Sequence, residues 1–416
     1  MMPFLNTKLS IYLKTKSMKK IMLVNMVLLL SIILLNCGLA PEPEPVKMNL
    51  PENYSTQTNT FTFDFLKNLE NEEPQNFFVS PMSLHVALGM LLNGADGKTK
   101  DEIQNTLKLT GDLTQININY RELMEKLPQL DTKVTNTIAN SVWHSNKFTV
   151  KSTYTQALRD YFKASISAED FTKKATVDKI NTWANINTNG KIDKVIDEIT
   201  PEQVMFLMNA LYFKGDWKTP FKTENTHDAD FVGSTGKKTV KMMNMTEDVN
   251  YVTRSGYKAI ELPYGNGVYA MTILLPDANK SIKDLSAILS ASEWQALKKD
   301  TTKQKVMVGL PKFTLTYEKN LNAILSKMGM PTAFTNAADF SKMAITAEIL
   351  KVGFVKQNAF LAIDEKGTEA AAVTTIGVVT TSMPVYPEFI CNRPFFFMIT
   401  EKQGGNILFV GKVVSL

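Results

Sequence analysis

Side chains that could carry out catalysis are few in this chain and lie far apart in the sequence. The three histidines are His85, His144 and His227, and nothing in their spacing pairs one of them with a nucleophile. Ser80 is followed by a proline at a predicted helix start, and the G-x-S-x-G motif of serine hydrolases does not occur in the sequence. A hydrolase is therefore disfavoured, and we expect the protein not to be an enzyme.

The remaining reactive residues give no site either. The two cysteines, Cys37 and Cys391, and the histidines are too few and too scattered for a structural metal site. Cys391 lies beside a predicted strand, which favours a small buried residue over a nucleophile. The GADGKT sequence at 94–99 resembles a phosphate-binding loop, but Leu92 stands where the first glycine belongs and a helix precedes it. We expect neither a metal nor a cofactor.

The charge pattern argues against nucleic-acid binding. The formal net charge of +5 is spread along the chain, and no basic run alternates with aromatic residues. With 416 residues and 44% hydrophobic content the chain can bury a large core, and after residue 46 it has no Pro, Gly or Ser tract and no repeat. We expect one large domain that is monomeric and has no nucleic-acid partner.

The first 36 residues predict a signal peptide. Lys19 and Lys20 precede an apolar stretch, 21–35, that is interrupted by polar residues and too short to favour a membrane-spanning helix. Met18, just before these lysines, is an alternative start of translation. The protein is therefore expected to be exported.

The apolar stretch ends in LLNCG at 34–38, which resembles a bacterial lipobox, although Asn36 departs from the small residue usual before the cysteine. The resemblance implies a lipid on Cys37, and hence a membrane-anchored lipoprotein that faces the periplasm or the cell surface. Ordinary secretion is the alternative. Residues 37–59 then form a Pro/Glu-rich spacer, because the alternating prolines at 41–45 stiffen the chain.

The folded part mixes helices and strands. A helix is predicted to start at Ser80-Pro81, and others cover Val177–Thr188 and Leu321–Met328, each followed by a glycine. Strands are predicted, mostly towards the C-terminal half, over Val204–Phe213, Met271–Leu275, Val306–Leu310, Leu350–Ile363, Pro394–Ile399 and Ile407–Val413. The pattern indicates an α+β fold with a large, mainly antiparallel sheet.

Residues 370–385, AAAVTTIGVVTTSMPV, carry no charge and are rich in β-branched side chains. Thr, Val and Ile favour extended backbone, and the alanines are small enough to enter a packed sheet without clash. Such a segment is an aggregation hazard when it is exposed and unpaired. An exposed segment of this kind is tolerable if another molecule binds it, or if its own protein contains a site into which the segment can insert.

Seven motifs, in a fixed order, match those of a known family. They are FVSPMS at 78–83, INTWANINTNGKI at 180–192, NALYFKGDW at 209–217, LPY at 262–264, LPKF at 310–313, MGMPTAF at 328–334 and EKGTEAAAVT at 365–374. On these motifs the chain resembles a serpin over Thr60 to Val413. The resemblance implies one serpin domain at 60–416 with three β-sheets, about nine helices and an exposed reactive-centre loop between Glu365 and Pro394.

The resemblance also implies a function. Inhibitory serpins are suicide substrates of serine, and in some cases cysteine, endopeptidases: the cleaved loop inserts into the main sheet and the protease stays trapped as an acyl-enzyme. A non-inhibitory serpin that acts as a carrier, chaperone or scaffold is the alternative. Such relatives tend to lose the small residues of the hinge, and this chain keeps them.

The hinge implied by the resemblance comprises Glu365, Gly367, Thr368, Glu369, Ala370, Ala371, Ala372 and Thr374. Alternate side chains of a strand face opposite sides, so insertion would turn the uncharged even-numbered residues from Thr368 to Thr380 towards the core. Glu369 would face water on the other side. Inserting about fourteen residues would carry an attached protease roughly 45 Å, and a displacement of about 1 Å can already cost a hundredfold in rate.

The reactive bond follows from a count. The seventeenth residue from the hinge glutamate, the usual spacing in the family, selects Thr381-Ser382. Counting back from the strand after the loop suggests Met383 instead, but a proline follows that residue, so Met383 and Val379 are secondary candidates. A small β-branched residue at the cut points to elastase-like or subtilisin-like proteases, and away from trypsin, whose pocket binds a cation.

Ser80, Ser83, Asn209 and Gln357 match a polar cluster that lies beneath the opening of the sheet in the family. Asn209 lies in an apolar strand, where an unpartnered amide would cost roughly 1–3 kcal/mol. The family usually has histidine in place of Gln357. Glutamine could satisfy Asn209 but cannot titrate, so we expect no histidine-linked pH dependence of sheet opening from this cluster.

Overall fold

The computed structural model describes residues 46–346, 349–368 and 386–416. Within these ranges lie nine α-helices. They are α1 (Tyr54–Glu72), α2 (Pro81–Leu92), α3 (Gly97–Thr106), α4 (Leu113–Lys126), α5 (Ser152–Phe162), α6 (Lys174–Asn187), α7 (Ile282–Ile288), α8 (Ala291–Asp300) and α9 (Asn322–Met328). Ser80 caps α2, because its hydroxyl accepts a hydrogen bond from the Ser83 N–H at 3.0 Å.

Seventeen strands lie in the same ranges and form three sheets. They are β1 (Phe77–Val79), β2 (Val134–Ser145), β3 (Thr149–Val150), β4 (Ser165–Glu169), β5 (Met205–Asp216), β6 (His227–Gly233), β7 (Gly236–Arg254), β8 (Tyr257–Pro263), β9 (Tyr269–Pro276), β10 (Thr302–Pro311), β11 (Phe313–Asn320), β12 (Ala344–Ile345), β13 (Lys356–Ile363), β14 (Gly367–Thr368), β15 (Glu388–Ile390), β16 (Phe395–Glu401) and β17 (Ile407–Val413).

The six-stranded sheet has the order β11-β13-β14-β5-β2-β4. All its neighbours are antiparallel except β2 and β4. β14 contains only two residues and lies between two much longer strands, where Thr368 pairs with Ile363 of β13 and with Gly215 of β5. Beyond Thr368 no described strand separates β5 from β13.

The nine-stranded sheet has the order β1-β17-β16-β9-β8-β7-β10-β15, with β6 paired to β7, and the small third sheet joins β3 to β12. The two large sheets pack on each other through aromatic side chains. Phe213 of β5 meets Phe409 of β17 edge to face, with ring centroids 6.1 Å apart, and Phe409 stacks on Phe78 of β1 at 5.0 Å. The main hydrophobic core therefore lies between these sheets, where helix α2 is also buried.

Helix α6 covers the other face of the six-stranded sheet. Val177 and Ile180 of α6 pack in one apolar cluster with Trp143 of β2, Phe206 of β5 and Ile196 from the segment after the helix. The apolar side chains of α6 recur at helical spacing, which gives the helix one buried face. The six-stranded sheet is thus apolar on both faces near β5, which explains the nearly unbroken apolar run of that strand.

The predicted fold class is confirmed: the described chain is α+β with three sheets and nine α-helices. The strand expected over Ile407–Val413 coincides with β17, and the helices predicted after Ser80-Pro81 and around Val177 correspond to α2 and α6. These elements were predictable because each has a clear apolar period or a capping residue at its boundary.

The strand predicted over Leu350–Ile363 is wrong in its first half. Only Lys356–Ile363 forms a strand, β13, whereas Leu350–Val355 is irregular. The backbone of this irregular segment bonds on one side only, with Val352 N–H donating to the Ala333 carbonyl and Leu321 N–H donating to the Val355 carbonyl. Because no described strand lies next to it on the β5 side, its strand-forming sequence is not sufficient to make it a strand.

The described strands lie mostly towards the C-terminal half, as predicted, since β5 to β17 all follow residue 204. β2 and β4 lie earlier, and β2 was missed because its polar residues obscure the alternation. The domain boundary at residue 60 needs correction: the domain begins earlier, since α1 starts at Tyr54, and Tyr54, Thr58 and Asn59 are buried. The polar composition of 55–60 concealed this first turn. None of the helices in the described ranges has the length and apolar character needed to span a bilayer.

Candidate functional site

An opening lies between β5 and the edge formed by β13 and the irregular segment before it. This cavity of about 580 Å³ is bordered on one side by Met205–Ala210 and on the other by Ile349–Asn358. Side chains of α2, among them Leu84 and Leu88, form its floor. We call this space the slot. No described strand lies between its two edges below β14, so the slot is suited to accept a further strand.

The hinge already occupies the upper end of the slot. Thr368 is only 2% exposed, and its hydroxyl lies 2.9 Å from the Tyr264 hydroxyl. The Tyr264 ring stacks on Trp217, with centroids 4.4 Å apart. The backbone N–H of Trp217 in turn donates a hydrogen bond to the Lys366 carbonyl at 2.5 Å. Thr368 is therefore held between β5 and β13.

Glu365 anchors the chain just before the hinge strand. Its Oε2 lies 2.7 Å from Lys312 Nζ, and its Oε1 accepts a hydrogen bond from Thr226 Oγ1 at 2.9 Å. Burial by itself raises the pKa of Glu365, but hydrogen bonds from Lys312, from its own backbone N–H and from Thr226 outweigh burial and lower the pKa below its usual value. The carboxylate is charged at neutral pH and anchors the chain just before β14.

Gly367 is required by the close approach of the hinge to β5. A Cβ atom on Gly367 would lie 2.2 Å from the Gly215 carbonyl oxygen and 2.7 Å from the Asp216 Cα. Both are backbone atoms of a central strand, so moving either of them away would distort the sheet and cost free energy. Glycine at this position is therefore what permits β14 to form.

The substitution Gly367→Ala is expected to prevent β14 from seating. The methyl group would displace the hinge, break the Thr368–Tyr264 hydrogen bond and alter the surroundings of Trp217, which a shift in tryptophan fluorescence would report. Gly353→Ala is the matched control, because a Cβ on Gly353 has no heavy atom within 4 Å. A Gly367→Ala spectrum that overlays the parent and control spectra would contradict this assignment of the hinge.

The four residues of the polar cluster lie together at the floor of the slot. Ser83 Oγ donates to Asn209 Oδ1, and Asn209 Nδ2 donates to Asn140 Oδ1 at 2.6 Å. Asn140 of β2 was missed by the sequence analysis, because a second polar residue in a half-polar strand gives no distinct signal. The amide of Asn209 thus has the hydrogen-bond partners that a polar group needs within an apolar strand.

Gln357 serves a different purpose from the one expected. Its Oε1 accepts from the Ser80 N–H at 3.1 Å, and its Nε2 donates to the Ser80 carbonyl at 2.8 Å. The expectation that it satisfies Asn209 is therefore wrong, because both ends of the amide bind the Ser80 backbone. Ser80 Oγ donates to the Leu408 carbonyl at 2.8 Å, so the cap of α2 joins β13 to β17.

The residues considered for catalysis are not brought together. His144 contacts only a neighbouring carbonyl, with Nδ1 3.0 Å from Ser145 O, and His227 is exposed at the start of β6. Cys391 is fully buried, and burial raises the pKa of its thiol. No group of His, Cys, Asp and Glu in the described residues could hold a metal ion. In the described part of the chain these candidates thus lie apart from one another.

His85 is a buried structural residue. Its Nε2–H donates to the Leu107 carbonyl at 3.1 Å, and its Nδ1 lies 3.0 Å from the Tyr120 hydroxyl. Burial lowers its pKa from 6.5 to about 4. Leu107 O can only accept, so the neutral ring carries its proton on Nε2.

This shift predicts a pH dependence of stability. Between pH 6.5 and about 4 the unfolded chain binds a proton at His85 that the folded chain does not, so the free energy of unfolding should fall as pH falls through this window. The loss should reach roughly 3 kcal/mol. Urea unfolding at several pH values measures it, and His85→Gln should flatten the slope. An equal slope in parent and variant would assign the effect to other groups.

A segment that follows α6 crosses the outer face of the slot. Lys191 Nζ lies 5.1 Å from the centre of the Phe360 ring on β13. Asn358 Nδ2 donates to the Lys194 carbonyl at 3.4 Å, and Lys356 Nζ donates to the Val195 carbonyl at 3.3 Å. Helix α6 packs over β2 and β5, so α6 and this segment together span both edges of the slot.

Several predicted site residues lie outside the described residues. They are Cys37, the hinge residues Glu369, Ala370, Ala371, Ala372 and Thr374, the reactive-bond residues Thr381 and Ser382, and the secondary candidates Val379 and Met383. The described chain resumes at Tyr386, whose ring lies 5.6 Å from Lys305 Nζ of β10. The chain thus pairs with neighbouring strands on both sides of residues 369–385, through β14 before them and β15 after them.

Comparisons with known proteins agree with this geometry. A family model described as "Serpin (serine protease inhibitor)" matches residues 56–416. An uncharacterized serpin-like protein of Methanosarcina acetivorans is 32% identical over 369 residues, covering 87% of this chain and 86% of its own length. Iripin-2 of Ixodes ricinus is 32% identical over 368 residues, covering 86% of this chain and 92% of its own length.

Solved structures extend the similarity to the fold. The crystal structure of tengpin, a thermophilic serpin, in its native state aligns with a TM-score of 0.83 at 32% sequence identity, covering 89% of this chain and 96% of that chain. The latent state of tengpin aligns with a TM-score of 0.79 and covers 89% of this chain and 100% of that chain. The similarity spans both large sheets.

Proposed function

The chain belongs to the serpin family, and we propose on this premise that it traps a serine endopeptidase by inserting its cleaved loop between β5 and β13. Serpins are suicide substrates of proteases and not catalysts, although some members do not inhibit. The observation that carries the proposal is the pairing of β14. Gly367 and Thr368 already pair with β5 and Thr368 with β13, which defines a register for the residues that follow.

Extending this register gives each core-facing residue a defined environment. Ala370 would lie between Phe213 of β5 and Leu361 of β13, which are 7% and 2% exposed. A small uncharged side chain enters such a buried position with little displacement of its neighbours. The small hinge residues therefore suit insertion, which favours an inhibitor over a carrier, chaperone or scaffold.

The same register brings Thr374 to the polar cluster. Thr374 would lie between Asn209 and Gln357, the two cluster residues on the slot edges. A threonine hydroxyl can both donate and accept, so it suits a site already lined by amides. A purely apolar loop residue at this level would bury polar atoms without adding a partner. In the proposed register the side chains of the loop thus match the slot in polarity as well as in size.

The outer face of the inserted strand would meet different neighbours. Glu369 would lie beside Lys214, the residue that precedes Gly215 on β5. Lys214 is half-buried, and an opposite charge beside it would favour the first step of insertion by a modest amount, because the pair stays near water. The charged residue of the hinge is therefore compatible with entry.

Insertion would also complete β13. In this register residues 376–379 would lie beside the irregular segment Leu350–Val355. That segment has a strand-forming sequence and free edge positions on the slot side, so a new neighbour should convert it to strand. The gain in backbone pairing would then exceed that of the inserted loop alone.

The trap uses the chemistry of the protease. Its serine hydroxyl attacks the carbonyl carbon of the reactive bond, the proton passes to the amine of the leaving segment, and an ester joins the enzyme to the loop. Water would normally hydrolyse this ester. Insertion of about fourteen residues would move the enzyme roughly 45 Å along the sheet first, and misaligned catalytic groups leave the ester intact.

We assign the reactive bond to Thr381-Ser382, with Val379 and Met383 as secondary sites. The β-branched Thr381 suits the small apolar pockets of elastase-like and subtilisin-like proteases. We further propose that Cys37 carries a lipid and that the spacer between Cys37 and the start of α1 at Tyr54 holds a monomeric inhibitor at a membrane surface after export. Radiolabelled palmitate should enter the parent chain in a bacterial host and should not enter a Cys37→Ser variant.

Incubation with elastase, subtilisin, trypsin and chymotrypsin tests the function. Denaturing gels should show a complex, resistant to boiling in detergent, with elastase or subtilisin. Mass spectrometry of the released C-terminal peptide should give Ser382 as its first residue. Cleavage by every protease without any stable complex would identify a non-inhibitory serpin.

A further inference from the structure

Asparagine is followed by glycine at three places in the chain, Asn93-Gly94, Asn189-Gly190 and Asn266-Gly267. This pair has an intrinsic reactivity, because the glycine nitrogen can attack the carboxamide carbon of the asparagine with no Cβ atom in the way. The attack requires the carboxamide and the peptide nitrogen to approach each other. The contacts that each pair makes in the fold therefore decide whether it reacts.

The carboxamide of Asn93 is held at both ends. Its Nδ2 donates to the Gly89 carbonyl at 2.9 Å, and its Oδ1 accepts a hydrogen bond from Asn117 Nδ2 at 2.8 Å. Gly94 is buried, and a Cβ atom added to it would lie 2.7 Å from the Met343 side chain. The carboxamide can turn towards the Gly94 nitrogen only by breaking both hydrogen bonds inside the packed protein.

Asn266 is exposed, but its carboxamide is also held at both ends. Its Nδ2 donates to the Leu130 carbonyl at 3.3 Å, and its Oδ1 accepts from the Val268 N–H at 2.9 Å. The backbone N–H of Asn266 donates to Asp131 Oδ2 at 2.7 Å, so the turn that contains this residue is fixed as well. Exposure alone thus does not free the reactive group.

Asn189 differs from the other two asparagines. It lies just beyond α6 with a φ of 50°, a left-handed conformation that asparagine adopts more readily than most residues. Asn189 and Gly190 are exposed, and the Asn189 carboxamide forms no hydrogen bond with the residues that the structure describes. A Cβ atom added to Gly190 would have no heavy atom within 4 Å, so the pair has room to change its conformation.

One hydrogen bond opposes the reaction at this pair. The Gly190 N–H donates to the Asn185 carbonyl of α6 at 2.8 Å, and this bond must break before the nitrogen can lose its proton and attack. An exposed helix end opens at a low cost in free energy. This single bond therefore protects Asn189 less than the paired hydrogen bonds protect Asn93 and Asn266.

We propose that Asn189-Gly190 is a site of spontaneous covalent modification, at which Asn189 loses its amide and becomes aspartate or isoaspartate. The Gly190 nitrogen gives its proton to water and bonds to the Asn189 Cγ, and the side-chain nitrogen leaves as ammonia, which closes a succinimide ring. Water then opens the ring at either of its carbonyl carbons. The net reaction consumes one water and releases one ammonia, and no electrons are transferred.

Isoaspartate adds a carbon to the main chain at the point where α6 passes into the segment that crosses the slot. Across this point the Ile192 N–H donates to Thr188 Oγ1 at 3.1 Å, and Lys191 Nζ lies over the Phe360 ring of β13. A longer main chain between Thr188 and Ile192 alters the geometry of the first contact. We expect the Ile192 amide to exchange about fivefold faster after the modification, the factor that corresponds to one hydrogen bond.

Peptide mapping by mass spectrometry, after incubation of the folded full-length protein in mildly alkaline buffer, is the first test. The mass change of an amide replaced by an acid should appear at Asn189 on the order of tenfold faster than at Asn93 or Asn266, because two hydrogen bonds hold each of those carboxamides. A protein isoaspartate methyltransferase should label the aged parent chain. In urea the three sites should react at rates within about threefold of one another, since the reacting pair is the same.

Two variants give the second test. Asn189→Gly tolerates the positive φ and has no carboxamide, so both the modification at this position and the change in Ile192 exchange with age should disappear. Asn117→Ala removes the group that holds Asn93 Oδ1, and the rate at Asn93 should rise about threefold or more. A cooperative thermal melt of each variant shows that it is folded. If Asn117→Ala does not fold, the comparison of the three sites in the parent chain still decides.

Equal rates at the three asparagines of the folded protein would overturn the inference, because these contacts would then not control the reaction. It would also be overturned if Asn189 reacts in urea but stays unmodified in the folded protein, since the hydrogen bond from Gly190 to Asn185 would then be sufficient protection. Neither result bears on protease inhibition, which complex formation tests separately.

Discussion

Ala370→Arg is expected to convert the inhibitor into an ordinary substrate. Ala370 would enter between Phe213 and Leu361, both buried against the core between the two large sheets. A guanidinium group there has no partner among these side chains, and an unpaired buried charge costs several kcal/mol (about 3–5). Insertion should stall near its first step, so that the ester is hydrolysed and the protease is released.

The measurement is the stoichiometry of inhibition with subtilisin or elastase, and we expect a rise of about tenfold or more. Ala371→Arg is the matched control, because the same side chain one residue later would point to the outer face, beside Tyr212 and Phe360. It should retain most of the inhibitory activity. If Ala370→Arg forms covalent complex as efficiently as the parent, the loop does not enter the sheet in this register.

Cleavage of the reactive bond should raise the thermal midpoint strongly. An inserted strand of about fourteen residues would add up to about twenty-eight backbone hydrogen bonds. At a net value of about 0.5 kcal/mol each, the stability gain is on the order of 10–20 kcal/mol, which corresponds to an increase of more than 10 °C in the thermal midpoint. Calorimetry of the intact protein and of protein cleaved at the loop measures this difference directly.

Hydrogen exchange gives the same prediction a local readout. The amides of Leu350–Val355 that face the slot should become protected after cleavage, because the inserted strand would provide their missing carbonyl partners. Amides of β17 are the internal control, since that strand is already paired on both sides. An unchanged midpoint together with unchanged exchange in Leu350–Val355 would identify a serpin that does not insert its loop.

The elements that sequence reasoning predicted well share one property. α2, α6 and β17 each carry their signal within the element itself, as a cap, a 3.6-residue apolar period or a continuous apolar run. The motifs that resemble a serpin act in the same way, because each consists of neighbouring residues. Local signals of this kind do not depend on the rest of the chain.

The predictions that failed depend on partners that are distant in sequence. Leu350–Val355 has the composition of a strand but lacks a neighbour on one side, and a strand requires neighbours. Gln357 was expected to satisfy Asn209, but both ends of its amide form hydrogen bonds with the Ser80 backbone. Asn140 escaped notice for the same reason, since only the pairing of β2 with β5 brings it to Asn209.

The sequence by itself determined the α+β class, the serpin motifs, the small residues of the hinge and the alternation that separates its two faces, because these are properties of residue type and local order. Only the tertiary structure decided the register at the start of the hinge. It pairs Thr368 with both Gly215 and Ile363. Strand register is fixed by hydrogen bonds between segments far apart in the chain, and no local pattern encodes which residues will face each other.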